Sequence, residues 1–187
     1  MQAETGLETK FARFGEGIKV QDDHVIEGYA SLFGACDQGG DIVSAGAYAA
    51  SLGAIKAEGR RVKMLWQHDP TLPIGVWDEV REDTRGLWVK GRLLPEVAKG
   101  REALELIAAG AIDGLSIGYR TVKSAKNTKG QRLLTELELW EVSLVTFPML
   151  PSARVAAKTD ELVLDHDAML RDMAEALWLA RESLAQR

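Results

Sequence analysis

The sequence predicts a mainly β domain, an antiparallel barrel or sheet with helical cover, followed by a separate helical tail. Three observations lead there. About six or seven short segments rich in β-branched and aromatic residues are separated by turn residues before residue 157. Only two helical periodicities interrupt them, too few for alternating βαβ units. Beyond residue 157 the pattern changes to a three-four apolar spacing. The domain is therefore placed at 1–157 and the tail at 158–187.

The first predicted strand is VIEGYASLF, Val25 to Phe33, which runs into the turn CDQGGD, Cys36 to Asp41. Ser44 then reads as the N-cap of a helix on which Tyr48, Leu52 and Ile55 share a face, with Gly59 ending it. RVKMLWQ, Arg61 to Gln67, reads as a strand that delivers His68 to its end, because Asp69 and Pro70 break the pattern. Ile74 to Val80 and Gly86 to Leu94 form a meander across the turn REDTR. Pro95 opens a second helix with Val97, Leu104, Ile107 and Ala108 on one side and Gly110 as its stop. Gly110 to Val122 is a turn followed by a strand, and KSAKNTKGQR is a polar hairpin loop of the kind that tolerates mobility. In the last strand, Leu133 to Phe147, period two puts Leu139, Glu141, Ser143 and Val145 on one face; Trp140, Val142 and Leu144 take the other. From Asp160 onward, Val163, Leu170, Met173, Leu177, Ala180 and Leu184 form one apolar stripe, interrupted by His166, as on an amphipathic helix. Such a helix packs either on its own domain or on a second subunit or assembly partner.

Composition narrows the function. The chain has 187 residues, enough to bury a core without disulfides or metals. Hydrophobic residues at 46% and charged residues at 27% are those of a folding globular protein. With 23 Lys and Arg against 28 Asp and Glu there is no basic stripe to neutralise phosphates, so no nucleic-acid partner is expected. No apolar run is long enough to span a membrane, and the N-terminal segment lacks the apolar centre of a signal peptide. The expectation is a protein free of the membrane. The single Cys36 has no internal disulfide partner, in keeping with a reducing compartment.

Few residues are left to carry chemistry. Three histidines, at 24, 68 and 166, lie too far apart and have too few cysteines beside them for a closed zinc site, so neither metal nor cofactor is expected. Cys36 lies in a Gly-rich turn without an adjacent cation to favour a thiolate. Asp37 and Asp41 flank glycines, which suits an ordinary turn better than a hard cation. His68 is either structural or, held by MLWQ before and DP after, rigid with one ring edge open to a cleft. Ser116 in GLSIG has glycines on both flanks but no strand-to-helix elbow. Glu141 is a carboxylate inside LWEVSLVTF, a strand that otherwise reads as buried. Either that strand is an edge and Glu141 faces water, or the carboxylate accepts a hydrogen bond from an imidazole.

At these residues the chain resembles the prohead proteases of tailed bacteriophages, a family that also serves phage-like gene transfer particles. The stretches that carry the likeness are GYASLFGACDQGGDIVSAGAYAASL, VKMLWQHDPTLPIGVW, GAIDGLSIGY and LWEVSLVTFPMLPSA with Arg154 and Val155, across roughly residues 24 to 157. The family's motif histidine falls on His68, its serine on Ser116 and the carboxylate of its W-E-x-S motif on Glu141. The resemblance implies a compact β-barrel wrapped by helices, similar to the herpesvirus maturation protease, where a second histidine replaces the carboxylate. It also implies a serine endopeptidase with Ser116 as nucleophile, His68 as base and Glu141 as the group that orients the histidine. Its substrates would be the scaffolding protein or a scaffolding-like extension of the major capsid protein, and the enzyme's own terminal region. The place of action would be inside the immature capsid, in the cytoplasm of the bacterial host. Related folds pair through helices, which makes a homodimer an expectation by analogy. Two rivals use the same residues differently: a non-enzymatic scaffold or capsid assembly protein, and an esterase acting on small substrates.

Overall fold

The computed structural model of the chain describes residues 8–12, 19–21, 24–37 and 39–147. In chain order these form β1 (Glu8–Ala12), β2 (Lys19–Gln21), β3 (Val25–Leu32), β4 (Asp41–Val43) and α1 (Ala49–Ala57). There follow β5 (Lys63–Trp66), β6 (Asp69–Glu82), β7 (Gly86–Leu93), α2 (Ala98–Ala108), β8 (Gly114–Lys126) and β9 (Arg132–Val145). Among the described residues the fold is mainly β with two helices, as predicted for the chain before residue 157. The tail helix expected over 158–187 lies outside the described residues, as does the domain boundary before it.

The strands form one sheet in the order β1-β8-β9-β5-β6-β7-β3-β2, with β4 also on β9. It is mixed, which corrects the expectation of an antiparallel barrel. β9 runs antiparallel to β8 along its whole length, while its other edge is shared by β4 at Arg132–Leu134 and β5 at Glu141–Leu144, both parallel to it. Period-two alternation reports which face a residue takes and not the direction of its neighbour, so the sequence pattern could not separate the two cases. Nor is the barrel closed. The sheet curls until β1 and β8 approach β3, but among the described residues no ladder joins the end strands β1 and β2, and the result is a half-barrel. Bulges at Tyr29/Ser31, Trp77/Glu79 and Gly118/Tyr119 add the twist that such curling requires.

Between β4 and β5 the edge of β9 would be left unpaired, and α1 with its lead-in turn covers it. The N–H of Ser44 reaches Leu134 O at 3.0 Å, that of Leu137 reaches Ala47 O at 2.9 Å, and that of Leu139 reaches the Ser51 hydroxyl at 2.9 Å. Ser44 therefore extends a ladder and is not the helix N-cap expected. A turn through Gly46 at φ +85° intervenes, and Tyr48 holds the cap position without a side-chain hydrogen bond. Both helices end at the predicted glycines, Gly59 and Gly110, each with positive φ.

Three further boundaries differ. β6 begins at Asp69 directly, since Pro70 is tolerated at its start and Pro73 sits where the β5–β6 register shifts. The polar run KSAKNTKGQR is half strand, and its loop shrinks to residues 127–131, closed by Asn127 Oδ1 accepting the N–H groups of Lys129 and Gln131. β1, β2 and β4 were not anticipated as strands, because three to five residues carry little alternation. The core is continuous across the sheet: Ile26, Met64, Ile74, Leu87, Ile117 and Val142 are buried in one cluster with Ile107 of α2. Burying each such side chain contributes about 1.5–3 kcal/mol.

Candidate active site

The site lies where β5, β8 and β9 run side by side. Trp66 of β5 pairs with Asp69 of β6, so Gln67 and His68 alone make the hairpin turn. Both are in the left-handed region, at φ 51° and 61°, as a type I′ turn demands. Neither is Gly or Asn, and a residue with a Cβ pays roughly 1–2 kcal/mol there. β9 holds the turn in place. The N–H of Gln67 bonds Leu144 O at 2.9 Å, the Gln67 amide donates to Thr146 Oγ1 at 2.6 Å, and the N–H of His68 donates to Ser143 Oγ at 3.2 Å.

Ser116 is in β8, in register with Ser143 of β9 on one side and with Phe11 of β1 on the other, and it is fully buried. Glu141 is in β9 between β8 and β5 and only 6% exposed, so it does not face water from an edge strand. Gly118 stands opposite it. A Cβ on Gly118 would overlap Glu141 Oε1 and lie 2.7 Å from its Cδ, so the missing side chain is the space that the carboxylate occupies. At the adjoining bulge Trp140 is turned out, 45% exposed, against the expectation that it shares a face with Val142 and Leu144.

The structure brings together Ser116, His68 and Glu141. Ser116 Oγ is 2.7 Å from His68 Nε2, and His68 Nδ1 is 2.5 Å from Glu141 Oε1. With the carboxylate accepting at Nδ1, the ring proton is assigned to Nδ1, and Nε2 is left to accept from the serine hydroxyl. The imidazole is 16% exposed, so the open side of the group is the ring. Such a line can draw a proton from a hydroxyl and stabilise the imidazolium that results. Asp69, next to His68, takes no part in it. Its carboxylate accepts the Thr71 hydroxyl at 2.6 Å and the Thr71 N–H at 2.8 Å, and these bonds hold it below the usual carboxylate range.

The other candidates fall elsewhere. Asp41 pairs with Arg132 at 2.8 and 2.6 Å at the far end of β9, and Asp37 Oδ1 accepts the Asp41 N–H at 2.8 Å within their turn. Cys36 is exposed, with the Gln131 amide 3.0 Å from its sulfur. His166 lies outside the described residues. Among the described residues no cluster of His, Cys, Asp or Glu is arranged to hold a metal ion, and no helix is long and apolar enough to cross a membrane. Sequence reasoning assigned no role to Ser143 or Gly118. The signal available for Ser143 was its place two residues from Glu141 on the same strand face; for Gly118 nothing short of the strand register reveals the partner.

A serine hydroxyl, an imidazole and a carboxylate in hydrogen-bonded line on a curled sheet have the form of a serine hydrolase site. Residues 15–166 match the family described as Caudovirus prohead serine protease, and the chain belongs to that family of peptidases. It is 32% identical over 155 residues to the prohead protease of Enterobacteria phage HK97, covering 79% of this chain and 68% of that one. The fold is shared with the bacteriophage T4 capsid assembly protease gp21, at a TM-score of 0.62 and 15% identity, over 78% of this chain and 99% of that one.

Proposed function

We propose that this chain is a serine endopeptidase of capsid maturation in which Ser116 attacks the scissile carbonyl, His68 transfers the proton and Glu141 orients the imidazole. The observation that carries the reading is the unbroken line from Ser116 Oγ to His68 at 2.7 Å and from His68 to Glu141 at 2.5 Å. A neutral hydroxyl is a weak nucleophile, so Nε2 must take its proton as the bond to carbon forms, and then give it to the leaving amine. General-base help of this kind is worth roughly 10² to 10⁴ in rate, and Glu141 keeps the ring in the tautomer that supplies it. Substrates are the scaffolding protein or an extension of the major capsid protein inside the immature shell. The names of the relatives, a prohead protease and a capsid assembly protease, support that class of substrate.

Two measurements on Ser116→Ala test the proposal. Co-expressed with capsid protein, the wild type is expected to yield cleaved fragments by mass spectrometry and the variant none. A fluorophosphonate probe, applied to free protein and to particles because Ser116 is fully covered, is expected to label the wild type alone. Cleavage or labelling that persists in Ser116→Ala would sink the assignment.

A further inference from the structure

We propose that Ser143 is a positioning residue of this site, a fourth side chain that holds the carboxylate and the imidazole in one geometry; this rests on Ser116, His68 and Glu141 being catalytic. Ser143 is fully buried, in register with Leu65 of β5 on one side and Ser116 of β8 on the other. Its hydroxyl has one proton to donate and lone pairs to accept with. The proton goes to Glu141 Oε2 at 2.5 Å, and a lone pair takes the backbone N–H of His68 at 3.2 Å. One oxygen thus touches both partners of the His68–Glu141 bond.

This division of labour leaves Oε1 for His68 Nδ1, while Oε2 is fixed from the opposite side. A carboxylate tethered at one oxygen alone can rotate about its last bond, and an imidazole follows the group that it bonds. The second contact acts on the turn. His68 is held at φ 61°, a conformation that persists only where surrounding contacts enforce it, and the Ser143 hydroxyl is one of those contacts. Removing Oγ loosens both ends of the same hydrogen bond without touching the serine that would attack.

The test uses the full chain as wild type, Ser143→Ala and Ser143→Cys. Two readouts are taken well below the melting temperature: the rate of labelling by a fluorophosphonate, and the downfield imidazole proton of His68 in NMR spectra. Ser143→Ala is expected to label roughly 10-fold to 100-fold more slowly, by analogy with the loss of a group that orients a metal-ligating side chain. Its imidazole proton is expected to shift or broaden. Ser143→Cys, a bulkier and weaker donor, is expected to fall between, and it carries the test if the alanine variant does not fold. A purely structural serine would lower the melting temperature and leave both readouts at wild-type values, which would overturn the proposal. Wild-type labelling that survives Ser116→Ala would remove the catalytic reading itself, a different outcome from wild-type rates in the Ser143 variants.

Discussion

Glu141 is built into its place from three sides: His68 Nδ1 at one oxygen, the Ser143 hydroxyl at the other, and the bare Cα of Gly118 against its flank. Glu141→Gln keeps the shape but presents either a donor or a neutral acceptor to the imidazole, favouring the wrong tautomer. The expected outcome is an unchanged melting temperature and turnover reduced about 10³- to 10⁴-fold, read from capsid-protein cleavage. Gly118→Ala puts a methyl group where the carboxylate lies. It is expected to cost about 1–3 kcal/mol in denaturant melts, the usual range for overpacking, and to reduce fluorophosphonate labelling of Ser116 as the carboxylate is pushed from Nδ1. At this scale the sequence was informative about chemistry and silent about contact. Ser116 and Glu141 stand out because a polar group among apolar neighbours needs a reason, and His68 because it follows directly on an apolar strand. Gly118 carries no such mark, and Ser143, between Val142 and Leu144, carries it without any sign of which groups it touches.

β9 is the element on which the site depends, because it meets β8 along one edge and β4, α1 and β5 in succession along the other. Its N-terminal end is tied by the Asp41–Arg132 pair, in which the carboxylate is nearly buried and the guanidinium half open. Arg132→Ala leaves Asp41 without that partner and is expected to cost about 1–3 kcal/mol in thermal or denaturant melts, the penalty for a polar group left poorly satisfied. Labelling of Ser116 by a fluorophosphonate should survive, since the pair lies at the opposite end of the strand from Glu141. The strands from Val25 onward, β4 excepted, were legible from alternation and turn residues, and both helix ends from their glycines; β4 falls where a turn leading into a helix was expected. The parallel placement of β4 and β5 was not, because alternation along a strand does not report the direction of its neighbour, and β9, which joins their edge, comes much later in the chain. The Gln67–His68 turn was hidden for a related reason. Neither residue advertises positive φ, and the Asp69–Pro70 pair looks like a break while beginning a strand.

For the molecule as a whole, acid stability follows from carboxylates that the fold keeps ionised. Burial alone would raise Asp83, but the N–H groups of Arg85 and Gly86, the Tyr29 hydroxyl and the Arg81 guanidinium outweigh it and hold the carboxyl below its ordinary range. Asp78 is lowered by its paired bonds to Arg92. The unfolded chain therefore takes up protons on these groups first. Their contribution is complete above the ordinary carboxylate value near about 4 and is lost as pH falls through the lowered folded values. Melting temperatures recorded from about pH 7 to about pH 2 should drop at the acid end, and Asp83→Asn should flatten that drop. The fold class was legible because helical periodicity appears only twice before residue 157, whereas curl without closure depends on bulges that no local pattern announces. The hairpin that carries His68 has no slack: it is the whole connection between two strands, one of them locked to β9. Slipping β5 by a single residue along β9 would swing the imidazole to the other side of the sheet, away from Ser116 and Glu141. With the roles proposed for these three side chains, correct pairing and chemical competence are one event, and a chain with β5 out of register is expected to give no fluorophosphonate labelling at Ser116.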